Sequence, residues 1–350
     1  MANSINKKIF ITGGAGFIGS NFILQALGSE KNFKILNFDK LTYAGNLSNL
    51  SSISSSPQYS FKEGDICEIE ILSRTIFEFR PDIILHFAAE SHVDRSIDNP
   101  LVFIKSNVNG TANLLNVALS YYKKLDNTKE FKFIHVSTDE VFGSLGSDGF
   151  FTENSPYRPT SPYSSSKAGS DHLVRAWNIT YGLPTVITNC SNNYGPLQFP
   201  EKLIPLIITN CIDEDPLPVY GDGKNIRDWL FVEDHCEALK KVIMSGAPGQ
   251  NYNIGGDCEL TNIDIVTKIC SIMDELKPRI SGKLHSDLIK FVDDRPGHDF
   301  RYAIDSKKIK DELNWKQEES IDTGLRKTIK WYINNESWWR EIQNNKYNRQ

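Results

Sequence analysis

The chain has 350 residues, 39% of them hydrophobic and 24% charged, which is typical of a globular protein with a sizeable core. Its formal net charge of −5 gives no electrostatic argument for nucleic-acid binding, and no apolar run reaches the length of a membrane helix. The six cysteines and seven histidines show no metal-ligand spacing, so we predict no metal site and free thiols. The polar start, without an apolar signal region, predicts a cytoplasmic protein.

The first half of the chain alternates short apolar runs with stretches of helical apolar spacing. We predict six strands, at residues 8–12, 34–38, 59–61, 82–87, 131–137 and 184–188. We predict helices between them, at residues 20–29, 69–79 and 107–122. This alternation favours a Rossmann-like, doubly wound α/β fold, in which a parallel sheet is covered by helices on both faces.

The pattern becomes irregular and richer in proline after residue 194. We therefore predict a dinucleotide-binding domain over residues 1–194 and a smaller C-terminal substrate-binding domain over residues 195–350. Apolar segments near residues 229–256 are expected to return to the first domain.

A glycine-rich segment follows the first predicted strand and opens a helix. Its candidate cofactor contacts are Gly13, Gly16, Phe17, Ile18 and Gly19. Glycine lets the backbone approach a pyrophosphate closely, and the helix N-terminus presents amides to the anion. A purely structural turn is the alternative for the glycines alone.

Three further strand ends carry candidate cofactor contacts. Asp39 ends the second strand, where a carboxylate accepts hydrogen bonds from ribose hydroxyls and repels a 2′-phosphate, which favours NAD over NADP. Asp65 and Ile66 follow the third strand, at an adenine-contacting position, although Asp65 could instead cap a helix. The fourth strand ends in a segment whose alanines leave room for a cofactor: Phe87, Ala88 and Ala89.

Tyr163 and Lys167 are four residues apart on a predicted helix and therefore share one face. A nearby ammonium favours the phenolate form of a tyrosine, whose free pKa is about 10, so the pair can act as a base toward a hydroxyl group. Because chance Tyr-x-x-x-Lys pairs are common, the evidence is the position of this pair after the fifth strand of a dinucleotide-binding fold.

The fifth predicted strand is followed by Thr138, Asp139 and Glu140. Ligands bind at the carboxyl edge of open α/β sheets, so two adjacent carboxylates there would give the site an acid and a base. Hydride chemistry alone does not need them. The alternative is that Asp139 caps a helix beside a solvated Glu140.

Over nearly its whole length the chain resembles the dTDP-glucose 4,6-dehydratases, a nucleotide-sugar branch of the extended short-chain dehydrogenases/reductases. The Thr-Asp-Glu triplet is the most diagnostic segment. Related epimerases usually have a small hydroxyl residue there without the acidic pair, and related decarboxylases keep only the glutamate. The resemblance implies that Asp139 is the general acid, Glu140 the general base and Tyr163 the redox base. Thr138 and Lys167 complete the implied catalytic set, and NAD is the implied cofactor.

The resemblance also assigns contacts beyond these motifs. For NAD it adds Lys40, Leu41, Thr42, Glu90, Ser91, Ser106 and Asn193. For the nucleotide sugar it gives Ser91, Thr138, Asn192, Lys202, Leu203, Pro218, Val219, Tyr220, Arg227, Asn262, Asp294, Arg295, Pro296, Gly297 and His298. The two arginines are cations suited to a diphosphate, although each could be a surface arginine. A homodimer built through the Tyr163 helix is also implied.

The chain departs from the usual family pattern at three positions. Phe142 replaces a frequent Tyr, Asn189 a frequent Arg, and Phe300 a usual second Arg. The alternative functions are a UDP-glucose 4,6-dehydratase, a nucleotide-sugar epimerase or decarboxylase of the same fold, or a catalytically silent NAD-binding regulatory protein. Thymidine and uridine differ by one methyl group, so the sequence alone does not fix the nucleotide.

Overall fold

A computed structural model describes residues 7–29, 33–126, 128, 130–294 and 296–347. Its strands are β1 (Lys7–Thr12), β2 (Phe33–Asp39), β3 (Tyr59–Glu63), β4 (Ile83–His86), β5 (Lys132–Thr138), β6 (Thr185–Cys190), β7 (Asn192–Tyr194), β8 (Leu217–Tyr220), β9 (Ile226–Phe231), β10 (Asn251–Ile254), β11 (Glu259–Thr261) and β12 (Ile289–Val292).

Seven of these strands form one parallel sheet in the order β10-β6-β5-β4-β1-β2-β3. The strand order reverses between β1 and β4, and Thr12 at the end of β1 pairs with Phe38 on one side and His86 on the other. The carboxyl ends of the central strands therefore meet at one edge, beside a switch point where ligands bind in such sheets. The predicted Rossmann-like fold is confirmed.

The helices flank this sheet and extend into the C-terminal half. They are α1 (Phe17–Ser29), α2 (Ile69–Phe79), α3 (Val93–Asp98), α4 (Pro100–Phe103), α5 (Thr111–Tyr122), α6 (Pro162–Tyr181), α7 (Leu203–Asp213), α8 (Val232–Ser245), α9 (Asn262–Leu276), α10 (Lys307–Leu313), α11 (Ile321–Asn334) and α12 (Glu336–Tyr347). The predicted helix at 69–79 matches α2, and the six predicted strands match β1 to β6 within two residues at each end. The predicted helix at 107–122 is interrupted, because Ile104–Gly110 forms a π-helix before α5 begins.

Side-chain alternation along β1 shows how the sheet is buried on both faces. Ile9 and Ile11 pack in one core with Phe22 of α1, whereas Phe10 packs in the opposite core with Leu114 of α5. Continuous apolar strands are the expected consequence of burial on both sides.

The C-terminal half has its own core, which includes Ile207 of α7, Ile269 of α9 and Trp339 of α12. Two small sheets belong to this half, one in the order β11-β9-β7 and one pairing β12 with β8. However, β10 is an edge strand of the main sheet and α8 packs on α1, as expected for the returning segment near 229–256. The domain division at residue 194 stays a prediction.

None of the helices in the described ranges has the length and apolar character needed to cross a membrane. Within the same ranges, no three His, Cys, Asp or Glu side chains gather in a way that could hold a metal ion.

Candidate active site

The glycine loop lies between β1 and α1, against the end of β4. Gly13 has φ +74°, and a Cβ on it would lie 2.6 Å from the backbone nitrogen of Ala88. A Cβ on Gly19 would lie 2.4 Å from the carbonyl oxygen of Gly13. The loop therefore has no room for side chains at these two positions, and the first turn of α1 faces the cleft.

Asp39 joins the glycine loop to the loop that follows β2. Its carboxylate accepts the amide of Ala15 at 2.9 Å through Oδ2 and the amide of Leu41 at 2.9 Å through Oδ1. Burial raises the pKa of Asp39, and these backbone hydrogen bonds oppose that rise. Each carboxylate oxygen has a second lone pair, so the group keeps acceptor capacity toward a ribose.

Lys40 forms an ion pair with Asp65 at 2.8 Å, and both residues line this end of the cleft. Burial alone would raise the pKa of Asp65, but the hydrogen bond from Lys40, the amide of Cys67 and the charge of Lys40 together hold that pKa below its ordinary value. Asp65 accepts the amide of Cys67 at 2.8 Å, whereas α2 begins after Glu68. The Asp65 carboxylate therefore closes a turn with the amide two residues later, and Asp65 is not the N-cap of α2.

A cleft of about 320 Å³ runs from the glycine loop to the carboxyl end of β5. The predicted cofactor contacts that line it are Gly13, Gly16, Phe17, Ile18, Gly19, Asp39, Lys40, Thr42, Asp65, Ile66, Phe87, Ala88, Ala89, Glu90, Ser91, Ser106, Tyr163, Lys167 and Asn193. Leu41 is not among the lining residues, and its amide is held by Asp39 with the backbone at φ +56°.

The catalytic end of the cleft begins where β5 gives way to a 3-10 turn, Asp139–Phe142. The hydroxyl of Thr138 accepts the amide of Glu140 at 3.3 Å and donates to Oδ1 of Asp139 at 3.3 Å. Thr138, and not Asp139, thus caps this turn. The proposed acid and base are brought to the same wall of the cleft.

Asp139 is only 1% exposed, and its Oδ2 has no hydrogen-bond partner among the described residues. Burial, followed by the charges of Glu140 and Asp228, raises the pKa of Asp139 well above its ordinary value. The charge of Arg227 opposes this rise. The site therefore favours the protonated form of Asp139, which is the form a general acid requires.

Helix α6 begins at a capping box formed by Ser161 and Ser164, with Pro162 as its first residue. This start places Tyr163 in the first turn and Lys167 one turn later, both on the cleft side. The local sequence thus determines where the helix begins and therefore the direction in which both side chains project.

The protein groups around Tyr163 do not by themselves favour its phenolate form. Burial, followed by the charges of Glu140 and Cys190, raises the pKa of Tyr163 well above 10. The ammonium of Lys167 instead donates to the carbonyl of Val136 at 2.9 Å. The geometry still places both side chains in the cleft, and their catalytic roles stay predictions.

Four of the predicted substrate contacts line the same cleft: Ser91, Thr138, Asn192 and Lys202. Lys202 donates to the carbonyl of Ser91 at 3.1 Å. The following residue, Leu203, begins α7, and Asn262 begins α9.

Other predicted substrate contacts lie on the paired strands β8 and β12 or on the loop after β12. They are Pro218, Val219, Tyr220, Asp294, Pro296, Gly297 and His298. His298 and Asp294 are joined at 2.6 Å, and the His298 ring lies 6.4 Å from the ring of Tyr220. Arg295 lies outside the described residues. These residues are not among those that line the cleft, and their contact with substrate stays a prediction.

Arg227 is buried, so it is not a surface arginine. Its guanidinium donates to the carbonyls of Ile226 at 2.7 Å and Asp299 at 3.0 Å and stacks over the ring of Tyr302. It contributes positive charge near Asp139, as the opposing effect on that pKa shows. Its contact with a diphosphate stays a prediction.

Two of the three unusual residues are buried beside the catalytic turn. Phe142 stacks on Phe151 with ring centroids 5.1 Å apart, and Asn189 donates to the carbonyl of Thr138 at 3.1 Å. Phe300 is exposed. The first two substitutions are therefore accommodated by packing and hydrogen bonding within the protein.

Several residues that line the cleft were not predicted: Tyr43, Leu197, Gln198, Phe199 and Glu201. The guanidinium of Arg95 lies 3.7 Å from the centre of the Tyr43 ring and pairs with Glu201 at 3.1 Å. These contacts join segments more than 50 residues apart, and no local sequence signal points to them.

Asn107 is a second unpredicted feature, and it lies in the π-helix. Its side chain accepts the amide of Glu90 at 2.8 Å and donates to the carbonyl of Glu90 at 3.0 Å and to Oγ of Ser166 at 2.8 Å. Its own carbonyl accepts the hydroxyl of Ser170 at 2.7 Å. Asn107 thereby ties the loop after β4 to helix α6, and π-helices are often found at functional sites.

A glycine loop and a Tyr/Lys pair on one Rossmann-like edge define a member of the short-chain dehydrogenase/reductase class. The buried acid beside Glu140 adds proton transfer that hydride exchange alone does not require.

Comparison with known proteins identifies the branch of this class. The family model described as GDP-mannose 4,6 dehydratase matches residues 10–328. A dTDP-glucose 4,6-dehydratase of Neisseria meningitidis serogroup B is 53% identical over 346 residues, covering 97% of both chains. A crystal structure of dTDP-glucose 4,6-dehydratase from Bacillus anthracis in complex with NAD superposes with a TM-score of 0.86 at 45% identity, covering 96% of this chain and 99% of that one. The corresponding enzyme DesIV of Streptomyces venezuelae gives 0.87 at 43% identity, covering 96% and 99%. The chain belongs to the dTDP-glucose 4,6-dehydratase family.

Proposed function

We propose that Asp139, Glu140 and Tyr163 carry out the proton transfers by which this chain converts dTDP-glucose to dTDP-4-keto-6-deoxy-glucose. The chain is an NAD-dependent hydro-lyase, like its relatives. The observation that carries the assignment is the position of Asp139. It is buried beside Glu140 in a setting that raises its pKa, within the cleft that also holds Tyr163 and Lys167.

The residues of the glycine loop fit NAD. The close approach of Gly13 to Ala88 leaves backbone, not side chains, at the pyrophosphate position, and the Asp39 carboxylate stands at the ribose position. NAD, when bound, supplies a reversible acceptor for hydride. The acidic group at residue 39 disfavours the 2′-phosphate of NADP.

The proposed proton transfers balance over the reaction. Tyr163 accepts the proton of the sugar 4-hydroxyl, and the resulting ketone acidifies the hydrogen on carbon 5. Glu140 accepts that hydrogen as a proton, and Asp139 donates its proton to the 6-hydroxyl, which leaves as water. The hydride removed from carbon 4 would then be returned to carbon 6, and a proton would return to carbon 5, which restores Glu140. Tyr163 is left with one proton more and Asp139 with one fewer, and exchange with solvent restores both. Lys167 supplies positive charge behind Tyr163, and Thr138 orients Asp139 through its hydroxyl.

Except for a UDP-glucose 4,6-dehydratase, which would use the same proton transfers, the alternative functions lack an explanation for the buried acid. An epimerase or decarboxylase of this fold does not need the Asp139–Glu140 pair, and a silent NAD-binding protein has no need to retain the carboxylates, Tyr163 and Lys167 together. The geometry brings all four side chains to one cleft.

Three variants test the roles. Asp139→Asn and Glu140→Gln keep side-chain size, so they should bind dTDP-glucose and reduce bound NAD slowly, while dehydration falls roughly 100-fold or more. Tyr163→Phe should suppress NAD reduction itself. NADH absorbance and mass spectrometry of the product measure the two steps separately.

Glu140→Gln should also stop solvent deuterium exchange at carbon 5, whereas Asp139→Asn should allow it. The matched control is Asp148→Asn, the same change at an exposed loop carboxylate, which should leave every rate unchanged. Dehydration at the wild-type rate in Asp139→Asn would overturn the assignment of the acid.

We infer that the chain forms a homodimer through the surface made by α3, α4 and α6. Leu101 on α4 is 75% exposed, Val102 and Ile104 are also exposed, and α3 and α4 pack against α6. Apolar residues clustered in this way are typical of an interface between copies. Leu101→Glu should convert the dimer to a monomer in light-scattering chromatography. A wild-type chain that elutes as a monomer would contradict the inference.

We also propose a cytoplasmic location. All six cysteines are unpaired in the structure, which suits a reducing compartment. Cell fractionation of the native organism should recover the chain with the soluble fraction.

A further inference from the structure

Asp171 is a buried carboxylate that the proposed proton transfers do not use. It lies on α6, one turn beyond Lys167, and is 1% exposed. An ionised carboxylate is costly to bury unless other groups compensate its charge and satisfy its oxygens. Its surroundings therefore indicate what it does.

Three segments of the chain, β5, β6 and the loop before α6, supply hydrogen bonds and close contacts to its oxygens. Oδ2 of Asp171 accepts the hydroxyl of Ser137 on β5 at 2.9 Å, the hydroxyl of Tyr157 at 2.9 Å and the amide of Asn189 on β6 at 3.3 Å. Oδ1 lies 3.1 Å from Nε2 of His135 on β5. Burial alone would raise the pKa of Asp171, but His135, Lys167 and Ser137 outweigh it and hold that pKa below its ordinary value. Asp171 is therefore ionised at neutral pH.

His135 lies between Asp171 and Lys167. Its Nε2 is 3.1 Å from the carboxylate and 3.5 Å from the ammonium nitrogen of Lys167. Burial lowers the pKa of His135 to about 4, so the imidazole is neutral at neutral pH. A neutral Nε2 either donates to the carboxylate or accepts from the ammonium, so Asp171 acts on Lys167 through its charge across this nitrogen.

Lys167 needs a counter-charge because it is buried as well. Burial lowers the pKa of Lys167, and the charge of Asp171 opposes this. Two other titratable groups that interact electrostatically with Lys167 are uncharged near neutrality. Burial lowers the pKa of His86 on β4, and burial raises the pKa of Cys190 on β6 to about 12. Burial likewise raises the pKa of Tyr157, which faces Asp171 from the loop before α6.

We propose that Asp171 is a positioning residue for the proton-transfer pair, and that its carboxylate keeps Lys167 charged and oriented across the imidazole of His135. This inference rests on the proposed roles of Tyr163 and Lys167. Asp171 is not among the residues that line the cleft, so it acts through Lys167 and not on substrate.

The test is the pH profile of NAD reduction in the NAD-loaded enzyme mixed with dTDP-glucose. Activity should be lost at alkaline pH as Lys167 loses its proton. In Asp171→Asn the counter-charge is gone and the pKa of Lys167 falls further. The alkaline limb should therefore move to lower pH by about one unit or more, with the KM for dTDP-glucose unchanged.

Two matched variants separate charge from scaffold. Tyr157→Phe removes one hydrogen bond to Asp171 but keeps the carboxylate, so the alkaline limb should stay in place even if the melting temperature falls. Asp171→Glu keeps the charge, so its alkaline limb should lie within a few tenths of a pH unit of the wild-type position.

A measurement without catalysis checks the same link. Urea unfolding of Asp171→Asn, Lys167→Met and the double variant should give a midpoint loss in the double variant that is smaller than the sum of the single losses. The reason is that each single change leaves the other charge buried without its partner. If Asp171→Asn is not recovered folded, the double variant should be, because it contains no unpaired buried cation.

The outcomes distinguish this inference from the proposed function. An unchanged alkaline limb in Asp171→Asn, or strictly additive unfolding losses, would overturn the positioning role and leave the roles of Tyr163 and Lys167 intact. Full NAD reduction in Lys167→Met would instead overturn the proposed role of Lys167.

Discussion

The two ends of the cleft are built on different physical principles. At the cofactor end, Gly13 and Asp39 shape the backbone, and the Lys40–Asp65 ion pair stands near solvent. At the catalytic end, the titratable groups are buried, and burial with neighbouring charge shifts the pKa values of Asp139 and Tyr163. Substitutions at the first end should therefore act mainly through shape, and those at the second mainly through charge.

The largest expected effect of shape is at Gly13. Gly13→Val adds a side chain where a Cβ would already lie 2.6 Å from backbone, in a left-handed conformation that costs about 1–3 kcal/mol by itself. The purified variant should contain no bound NAD and should melt at a lower temperature. Gly28→Ala in α1, where a Cβ meets open space, is the control and should be neutral or stabilising. NAD content equal to wild type in Gly13→Val would contradict the close-approach argument.

Asp39 tests whether charge also matters at the cofactor end. Asp39→Asn removes the negative charge that disfavours a 2′-phosphate, so the preference for NAD over NADP should fall about ten-fold. The change is read by chromatography of the cofactor released on denaturation and by titration of the apoprotein. Recovery of mainly NADP from the wild-type chain would refute the role of Asp39.

A smaller effect of shape is expected when the nucleotide of the substrate is changed. Because dTDP-glucose and UDP-glucose differ in the base by one methyl group, the specificity constant for dTDP-glucose should be higher by about ten-fold or somewhat more. Steady-state assays with both sugars measure the ratio. A reversed ratio would move the preference to UDP-glucose without changing the proton transfers.

The smallest predicted effect is on stability at the catalytic end. The folded-state pKa of Asp139 is raised, so the contribution of this group to stability is fully present below the unfolded pKa of about 3.8 and is lost as pH rises through the folded value. Asp139→Asn lacks this loss. Its melting temperature should match wild type at acidic pH and exceed it by about 1–2 °C at slightly alkaline pH. A melting temperature below wild type at both pH values would show that the carboxylate stabilises the fold.

The difference between the two ends of the cleft also explains which features the sequence could predict. The cofactor end follows from local motifs, and the structure places Gly13, Asp39 and Ala88 together as expected, because parallel strands bring their carboxyl ends to one edge. The acidic pair that follows β5 could likewise be recognised from a local motif. The spacing of Tyr163 to Lys167 does not give the pKa direction of Tyr163 in the folded chain, because burial and the charge of Glu140, which raise that pKa, depend on tertiary packing.

The unpredicted parts share one property, which is that their contacts join different elements of the fold. Arg95 contacts Glu201, and Asp171 is held by residues from β5, β6 and the loop before α6. Neither Asp171 nor His135 belongs to a short motif that signals a role. Their arrangement is visible only once the strands are placed side by side.

The π-helix at Ile104–Gly110 makes the length of this segment as important as its composition. Such a turn contains one residue more than the α-helix that would otherwise run through it. Deleting one residue here would restore regular helical pairing but rotate Asn107 by roughly 100° about the helix axis. Its side chain would then leave Glu90 and Ser166. An active site of this kind tolerates many exchanges of residue type in the segment more readily than a single change in residue number.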